Sequence, residues 1–147
     1  TGVQTCALPI LVEAGLTGWT WHAERVARAI KSPSNTVLVA MLGQHVLGFA
    51  VMEFGDTTAH LSLLAITPTH QRCGLGGQLV RWLEEAALVA GIERINLELR
   101  ANNEGARRFY RSLGYKEAGY IAGYYRGVET ALRMTRDIRR QIPDRIS

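Results

Sequence analysis

Residues 61–100 read as strand, glycine-rich turn, amphipathic helix and second strand. The apolar run Leu61-Ser62-Leu63-Leu64-Ala65-Ile66 is closed by Thr67-Pro68. The turn Gln71-Arg72-Cys73-Gly74-Leu75-Gly76-Gly77 follows. Leu75, Leu79, Trp82, Leu83, Ala86 and Ala90 then recur at helical spacing, with Arg81, Glu84 and Glu85 between them. Past Gly91, the residues Ile95, Leu97 and Leu99 alternate with Asn96, Glu98 and Arg100, the pattern of a half-buried strand. Strand, helix and strand in succession predict a right-handed parallel crossover. The turn delivers unpaired backbone N–H groups at a helix N-terminus, which suits a phosphate-bearing ligand. Gly74, Gly76 and Gly77 let the main chain come close to such a ligand.

The common nucleotide motifs do not fit this turn. No Lys-Ser or Lys-Thr follows the glycines, which removes the P-loop, and Leu79 stands where a dinucleotide fingerprint needs its third glycine. His22, His45, His60 and His70 are scattered, without H-E-x-x-H or paired-cysteine spacing, so no metal site is expected. There is no G-x-S-x-G for a serine hydrolase. Cys6 and Cys73 form no disulfide or metal pattern, and no apolar run reaches the length of a membrane span. The net charge of +4 suits an anionic cofactor but is too small to argue for nucleic acid. The expected partners therefore exclude nucleic acid and membrane, and the expected address is the cytoplasm.

The rest of the chain supplies a sheet. A helix is expected over residues 20–31, from Thr20 to Lys31, ended by Ser32-Pro33-Ser34-Asn35. Strands over 36–41 and 45–54 are joined by Gly43-Gln44 as a hairpin, and Gly55-Asp56 turns the chain into the strand before the glycines. Asn102 or Asn103 caps a short helix through Phe109, Tyr110 and Leu113, which Gly114 ends. Strands over 115–125 and 131–135 close the domain, and the arginine-rich tail over 136–147 reads as solvated and frayed.

Gln71-x-x-Gly74-x-Gly76 fits Q/R-x-x-G-x-G/A and resembles the acetyl-CoA pyrophosphate loop of the GNAT N-acetyltransferases. The run Leu97-Glu98-Leu99-Arg100-Ala101-Asn102-Asn103, then Ala106, then Phe109-Tyr110-Arg111-Ser112-Leu113-Gly114-Tyr115, is similar to a signature of the ribosomal-protein-alanine N-acetyltransferase branch. Tyr124-Tyr125 and Glu129-Thr130-Ala131-Leu132-Arg133-Met134 resemble the close of the same branch. The resemblance implies a mixed α/β GNAT acyl-CoA N-acyltransferase fold that lacks its first strand. It implies acetyl-CoA as cosubstrate, held by Leu64, Ala65, Ile66, Gln71, Arg72, Cys73, Gly74, Leu75, Gly76, Gly77, Asn103 and Tyr110. Glu98 is then the base for the ammonium proton and Tyr110 the acid for the leaving thiolate, a role that suits a phenol. Tyr124 and Tyr125 line the acceptor groove. Plainer readings stand beside these: Tyr110 as core packing next to Phe109 and Leu113, Glu98 as a solvent-facing strand residue, Asn103 as a helix cap, and Arg107, Arg108 and Arg111 as a solvated helix face.

The expected reaction is direct acetyl transfer to a primary amine, foremost the α-amino group of a protein N-terminus. The alternatives are a small-molecule amine such as an aminoglycoside, polyamine or amino acid, and a non-catalytic acyl-CoA-binding module, because fold does not settle substrate. Residues 1–10 resemble the translation of a sequencing adapter, so the expected domain is residues 11–135. With only residues 11–18 ahead of Trp19-Thr20-Trp21, the strand at Val37–Met41 is expected to be an exposed edge.

Overall fold

The computed structural model of the chain describes residues 35–42, 45–66 and 74–139. The helix expected over 20–31, the suspected adapter stretch and the segment Gln71-Arg72-Cys73 lie outside the described residues, as does the place of any first strand. Among the described residues six strands form one sheet: β1 (Asn35–Leu42), β2 (His45–Phe54), β3 (Thr58–Ile66), β4 (Arg94–Arg100), β5 (Lys116–Tyr125) and β6 (Glu129–Asp137). Two helices accompany them among the described residues, α1 (Leu75–Val89) and α2 (Glu104–Ser112). The sheet order is β1-β2-β3-β4-β6-β5. Only β3 and β4 run parallel; every other neighbouring pair is antiparallel. A mixed sheet carrying few helices is the fold class expected from the sequence.

Apolar alternation sets which face of the sheet is covered. Ile95, Leu97 and Leu99 of β4, Leu132 and Met134 of β6, and Leu61, Leu64 and Ile66 of β3 share one core with both helices. Each such side chain contributes about 1.5–3 kcal/mol when fully buried. Val51 and Leu63 form a second, small cluster with Val37 and Phe49. Leu63 and Leu64 fall in different clusters by ordinary alternation, whereas Leu61 and Leu64 share a face because the β2–β3 register slips between Val51 and Met52, whose partners are Leu63 and Leu61. Ser62 is the extra residue of this bulge.

The helical stripe differs from the one expected. α1 buries Leu75, Leu79, Val80, Leu83 and Ala87, whereas Trp82 stays 54% exposed and Ala90 is exposed. Glu84, expected on the solvent face, is buried, accepting hydrogen bonds from the Tyr115 hydroxyl at 2.8 Å and Arg136 Nη1 at 2.6 Å. Partners on the sheet outweighed the apolar pattern, since an ion with good donors can be buried where a lone one cannot. The start of the tail also moves: β6 runs through Arg136 to Asp137, and Ile138 is buried. Arg136 through Arg139 are thus part of the folded unit. Arg107 and Arg111 are not merely solvated either. Both reach Glu117 of β5, at 3.5 and 2.6 Å, and Arg107 also donates to the Ala101 carbonyl at 2.8 Å.

Candidate active site

β3 and β4 pair only from Thr58–Arg94 to His60–Asn96. Beyond that point the strands part, so the β4-side backbone groups of Leu61–Ile66 face a wedge instead of a ladder partner. Leu64, Ala65 and Ile66, expected to bind cofactor, lie along this free edge and are buried. Backbone donors and acceptors on such an edge can pair with an amide-bearing chain laid between the strands.

The helix α1 begins beside the same wedge. Its N-cap is Gly74, at φ 85°, with no side-chain cap, and the first turn carries no acidic residue. A left-handed N-cap explains the glycine there. The first-turn N–H groups have neither intrahelical partners nor a capping side chain, which leaves them for an anion. Gly76 has a further reason to be glycine: a Cβ there would lie 3.2 Å from the Phe109 ring and 3.7 Å from Leu64. At Gly77 a Cβ would make only ordinary contact with Leu113, at 3.6 Å. Gly76 therefore lets α1 close on α2 and β3, a packing role beside the ligand approach expected of it. A Cβ on Gly74 would meet nothing within 4 Å, so that position alone opens outward. Leu75 is buried in the core.

Asn103 caps α2, its Oδ1 accepting from the Ala106 N–H at 3.0 Å. Tyr110 is 1% exposed and packs edge-to-face against Phe109 and Tyr115, with centroids at 4.9 and 5.8 Å. It belongs to the helix-side core, so the core-packing reading holds for its ring. Glu98 alternates with Leu97 and Leu99 and therefore sits on the opposite face of the sheet. The two residues expected to move protons flank the sheet from its two sides.

Glu98 is far from an ordinary solvent-facing residue. Its side chain is only 7% exposed. Oε1 accepts from His60 Nε2 at 2.5 Å and from the Tyr124 hydroxyl at 3.3 Å, and Oε2 accepts from Arg133 Nε at 3.1 Å. Because an ionised carboxylate only accepts, Nε2 carries the ring hydrogen, and Nδ1 of a neutral ring accepts from Ser62 Oγ at 3.3 Å. Burial pushes the Glu98 pKa up, but the hydrogen bonds and charges of His60 and Arg133 more than reverse this and hold it below the ordinary carboxylate value. Tyr124 moves the other way: burial, then the charge and hydrogen bond of Glu98, raise its hydroxyl. Tyr125 stacks edge-to-face on Tyr124 at 4.9 Å, and the Arg100 guanidinium lies 5.1 Å from its ring centre.

Sequence reasoning thus placed Glu98 and Tyr124 in one cluster without seeing His60, Ser62 and Arg133. The parity of His60 and Ser62 along β3 hinted at a shared face. Arg133 could be found only from the β4–β6 register, which pairs it directly with Glu98. Among the described residues no group of three or more potential ligands could hold a metal ion.

The model of the Acetyltransferase (GNAT) family matches residues 8–115. The chain belongs to this GNAT family. The ribosomal protein bS18-alanine N-acetyltransferase of Escherichia coli is 36% identical to the GNAT chain over 77 residues, 52% of either protein. The crystal structure of the ribosomal-protein-S18-alanine N-acetyltransferase from Escherichia coli superposes with a TM-score of 0.75 at 26% identity, covering 88% of this chain and 84% of that one. The N-alpha-acetyltransferase RimI of Mycobacterium tuberculosis is 30% identical over 110 residues, 72% of this chain and 68% of that protein. An aminoglycoside 6'-acetyltransferase type Ii structure also superposes, at a TM-score of 0.70 and 26% identity, over 82% of this chain and 77% of that one. The GNAT chain spans 52–65% of the length of the first curated relatives it matches.

Proposed function

We propose that the protein transfers an acetyl group from acetyl-CoA to the α-amino group of a protein N-terminus. The observation that carries this reading is a carboxylate with three donors, Glu98, on the rim of a wedge opened by two parting parallel strands. The free edge of β3 offers hydrogen bonds to the amides of a pantetheine arm. The uncapped first turn of α1, with Gln71 and Arg72 before it, suits the pyrophosphate, and Asn103 keeps an amide N–H₂ for the arm. A thioester in the wedge would turn its carbonyl carbon toward the Glu98 face. The acceptor nitrogen attacks that carbon and loses a proton to Glu98, directly or through a water. The C–S bond then breaks, and the departing sulfur takes a proton from Tyr110 on the helix side. His60, donating Nε2–H to Glu98, holds the carboxylate oriented to receive that proton.

The electrostatics favour an α-amine. Glu98 is held below the ordinary carboxylate value, so it is a weak base. It serves best an amine that gives up its proton readily, such as an α-amino group titrating near about 7.7–8.0, rather than a lysine amine near about 10.4. The relatives named for α-amine acetylation point the same way. Tyr124, 45% exposed and bonded to Glu98, stands where the acceptor would lie.

Release of CoA from acetyl-CoA, followed with a thiol reagent, tests the reading on alanine-initiated peptides, N-blocked lysine peptides and an aminoglycoside. Turnover confined to free α-amines is expected. Glu98→Gln should lower kcat by about 10²-fold or more. Preferential turnover of the aminoglycoside would replace the acceptor class. Binding of acetyl-CoA without turnover of any amine would leave an acyl-CoA-binding module.

A further inference from the structure

β4 pairs Glu98 with Arg133 of β6, and β6 pairs Arg133 with Gly119 of β5. These three residues therefore stand abreast on one face of the sheet. Arg133 directs Nε to Glu98 at 3.1 Å, yet its side chain is 47% exposed against 7% for Glu98. Among the described residues, Glu98 is the one carboxylate recorded within ion-pair distance of Arg133. A Cβ built on Gly119 would meet no atom within 4 Å, so β5 raises no wall directly abreast of the guanidinium, and Tyr124 further along β5 shares the Glu98 carboxylate with it. Along β6 its same-face neighbours are the short residues Ala131 and Thr135. The Thr135 hydroxyl is engaged with Asn96 Oδ1 at 2.8 Å and the Ile95 carbonyl at 3.2 Å. A cation thus lies open immediately beside the rim carboxylate.

A guanidinium carries five N–H donors in a planar fork that matches a carboxylate. Arg133 spends one of them on Glu98. An ammonium approaching Glu98 meets this positive charge and is repelled, unless it brings a negative charge of its own. We infer that Arg133 selects the acceptor, receiving a carboxylate carried within a residue or two of the amine, so that acidic or zwitterionic acceptors are taken over neutral and basic ones. The inference rests on Glu98 serving as the base of the proposed transfer. The carboxylate can be an acidic side chain beside a protein N-terminus or the α-carboxylate of a free amino acid. Either would draw the charge of Arg133 away from Glu98 and strengthen Glu98 as a base only when an acceptor is in place.

The test compares kcat/KM for Ala-Asp, Ala-Ala and Ala-Lys peptides of equal length, and for amino acids with free or amidated carboxyl groups. Wild type, Arg133→Gln, Arg133→Lys and Arg133→Glu are each assayed at low and high salt. Wild type should favour Ala-Asp over Ala-Lys by about tenfold at low salt, mostly through KM, with the ratio shrinking as salt rises. Arg133→Lys should keep most of the ratio, Arg133→Gln should bring it near unity, and Arg133→Glu should invert it. Discrimination between free and amidated amino acids, lost in Arg133→Gln, would name the α-carboxylate as the source; discrimination among peptides alone would name the side chain. An unchanged ratio in Arg133→Gln overturns the inference and leaves the proposed function standing. If no amine is turned over, the proposed function fails. Calorimetry of the same peptides on CoA-saturated protein then decides the inference: acid-selective binding lost in Arg133→Gln supports it, and equal affinities overturn it.

Discussion

Replacing Glu84 with alanine removes a buried carboxylate that ties α1 to Tyr115 and to β6. It accepts from Tyr115, 31 residues away, at 2.8 Å, and from Arg136, 52 residues away, at 2.6 Å. Arg81, one turn back, donates at 2.8 Å but is 46% exposed, so its share is below about 1 kcal/mol. Arg136 and Glu84 are only 12% and 8% exposed, and removing one partner of a pair so buried costs about 3–5 kcal/mol. Burial, with the charge and hydrogen bond of Glu84 adding to it, pushes the Tyr115 hydroxyl up, so it stays a neutral donor that would lose its acceptor. Arg136 borders a surface groove with Arg81 and Glu85 and can partly turn to water, which sets the expectation at about 3 kcal/mol. Against a typical stability of about 5–15 kcal/mol, that is a large fraction. Urea unfolding should show a lower midpoint with an unchanged slope. Tyr115→Phe alone should cost about 1.5 kcal/mol, since the lost bond is to a charged acceptor. The double variant should cost less than the sum of the two by about 1 kcal/mol, because both remove the same bond. A loss below about 1 kcal/mol for Glu84→Ala, or strict additivity, would refute the reasoning.

Two further outcomes follow from the same geometry. The unfolded chain holds the Glu98 proton up to the ordinary value of 4.5, while the folded chain releases it at lower pH, so Glu98 contributes stability above 4.5 that is lost as pH falls through its depressed folded value. Wild type should therefore lose more stability than Glu98→Gln on acidification below 4.5, by urea titrations at several pH values, and parallel curves would count against the lowered pKa. Asn103→Ala should cost about 1 kcal/mol, the usual worth of a side-chain N-cap, in the same unfolding assay. No change would mean that α2 does not depend on the Asn103–Ala106 bond.

The strand order of the meander, the crossover and the short second helix were legible because each carries a local signal. Apolar residues alternate at β4, Gly43-Gln44 separates β1 and β2, and Asn103 and Gly114 mark the ends of α2, with Gly114 at φ 101°. A left-handed residue after a helix favours glycine, which is why that end could be read. Glu84 and Trp82 exchanged their expected places because both lie at the margin of the apolar stripe. The choice between them depended on Tyr115 and Arg136, which no window of neighbouring sequence contains.

The site divides in the same way. By itself the sequence determined that a strand would lead through glycines into a helix, and that Glu98 would point away from the core. Both follow from periodicity and from the conformational range of glycine, which are properties of adjacent residues. Only the tertiary structure decided that β3 and β4 part after His60 and Asn96, and that β6 inserts between β4 and β5. That insertion puts Arg133 opposite Glu98, while the short parallel pairing brings His60 to the other side of the same carboxylate. The proton affinity of Glu98 is therefore a property of strand register, because it is set by charges more than 30 residues away in sequence and a few ångströms away in space.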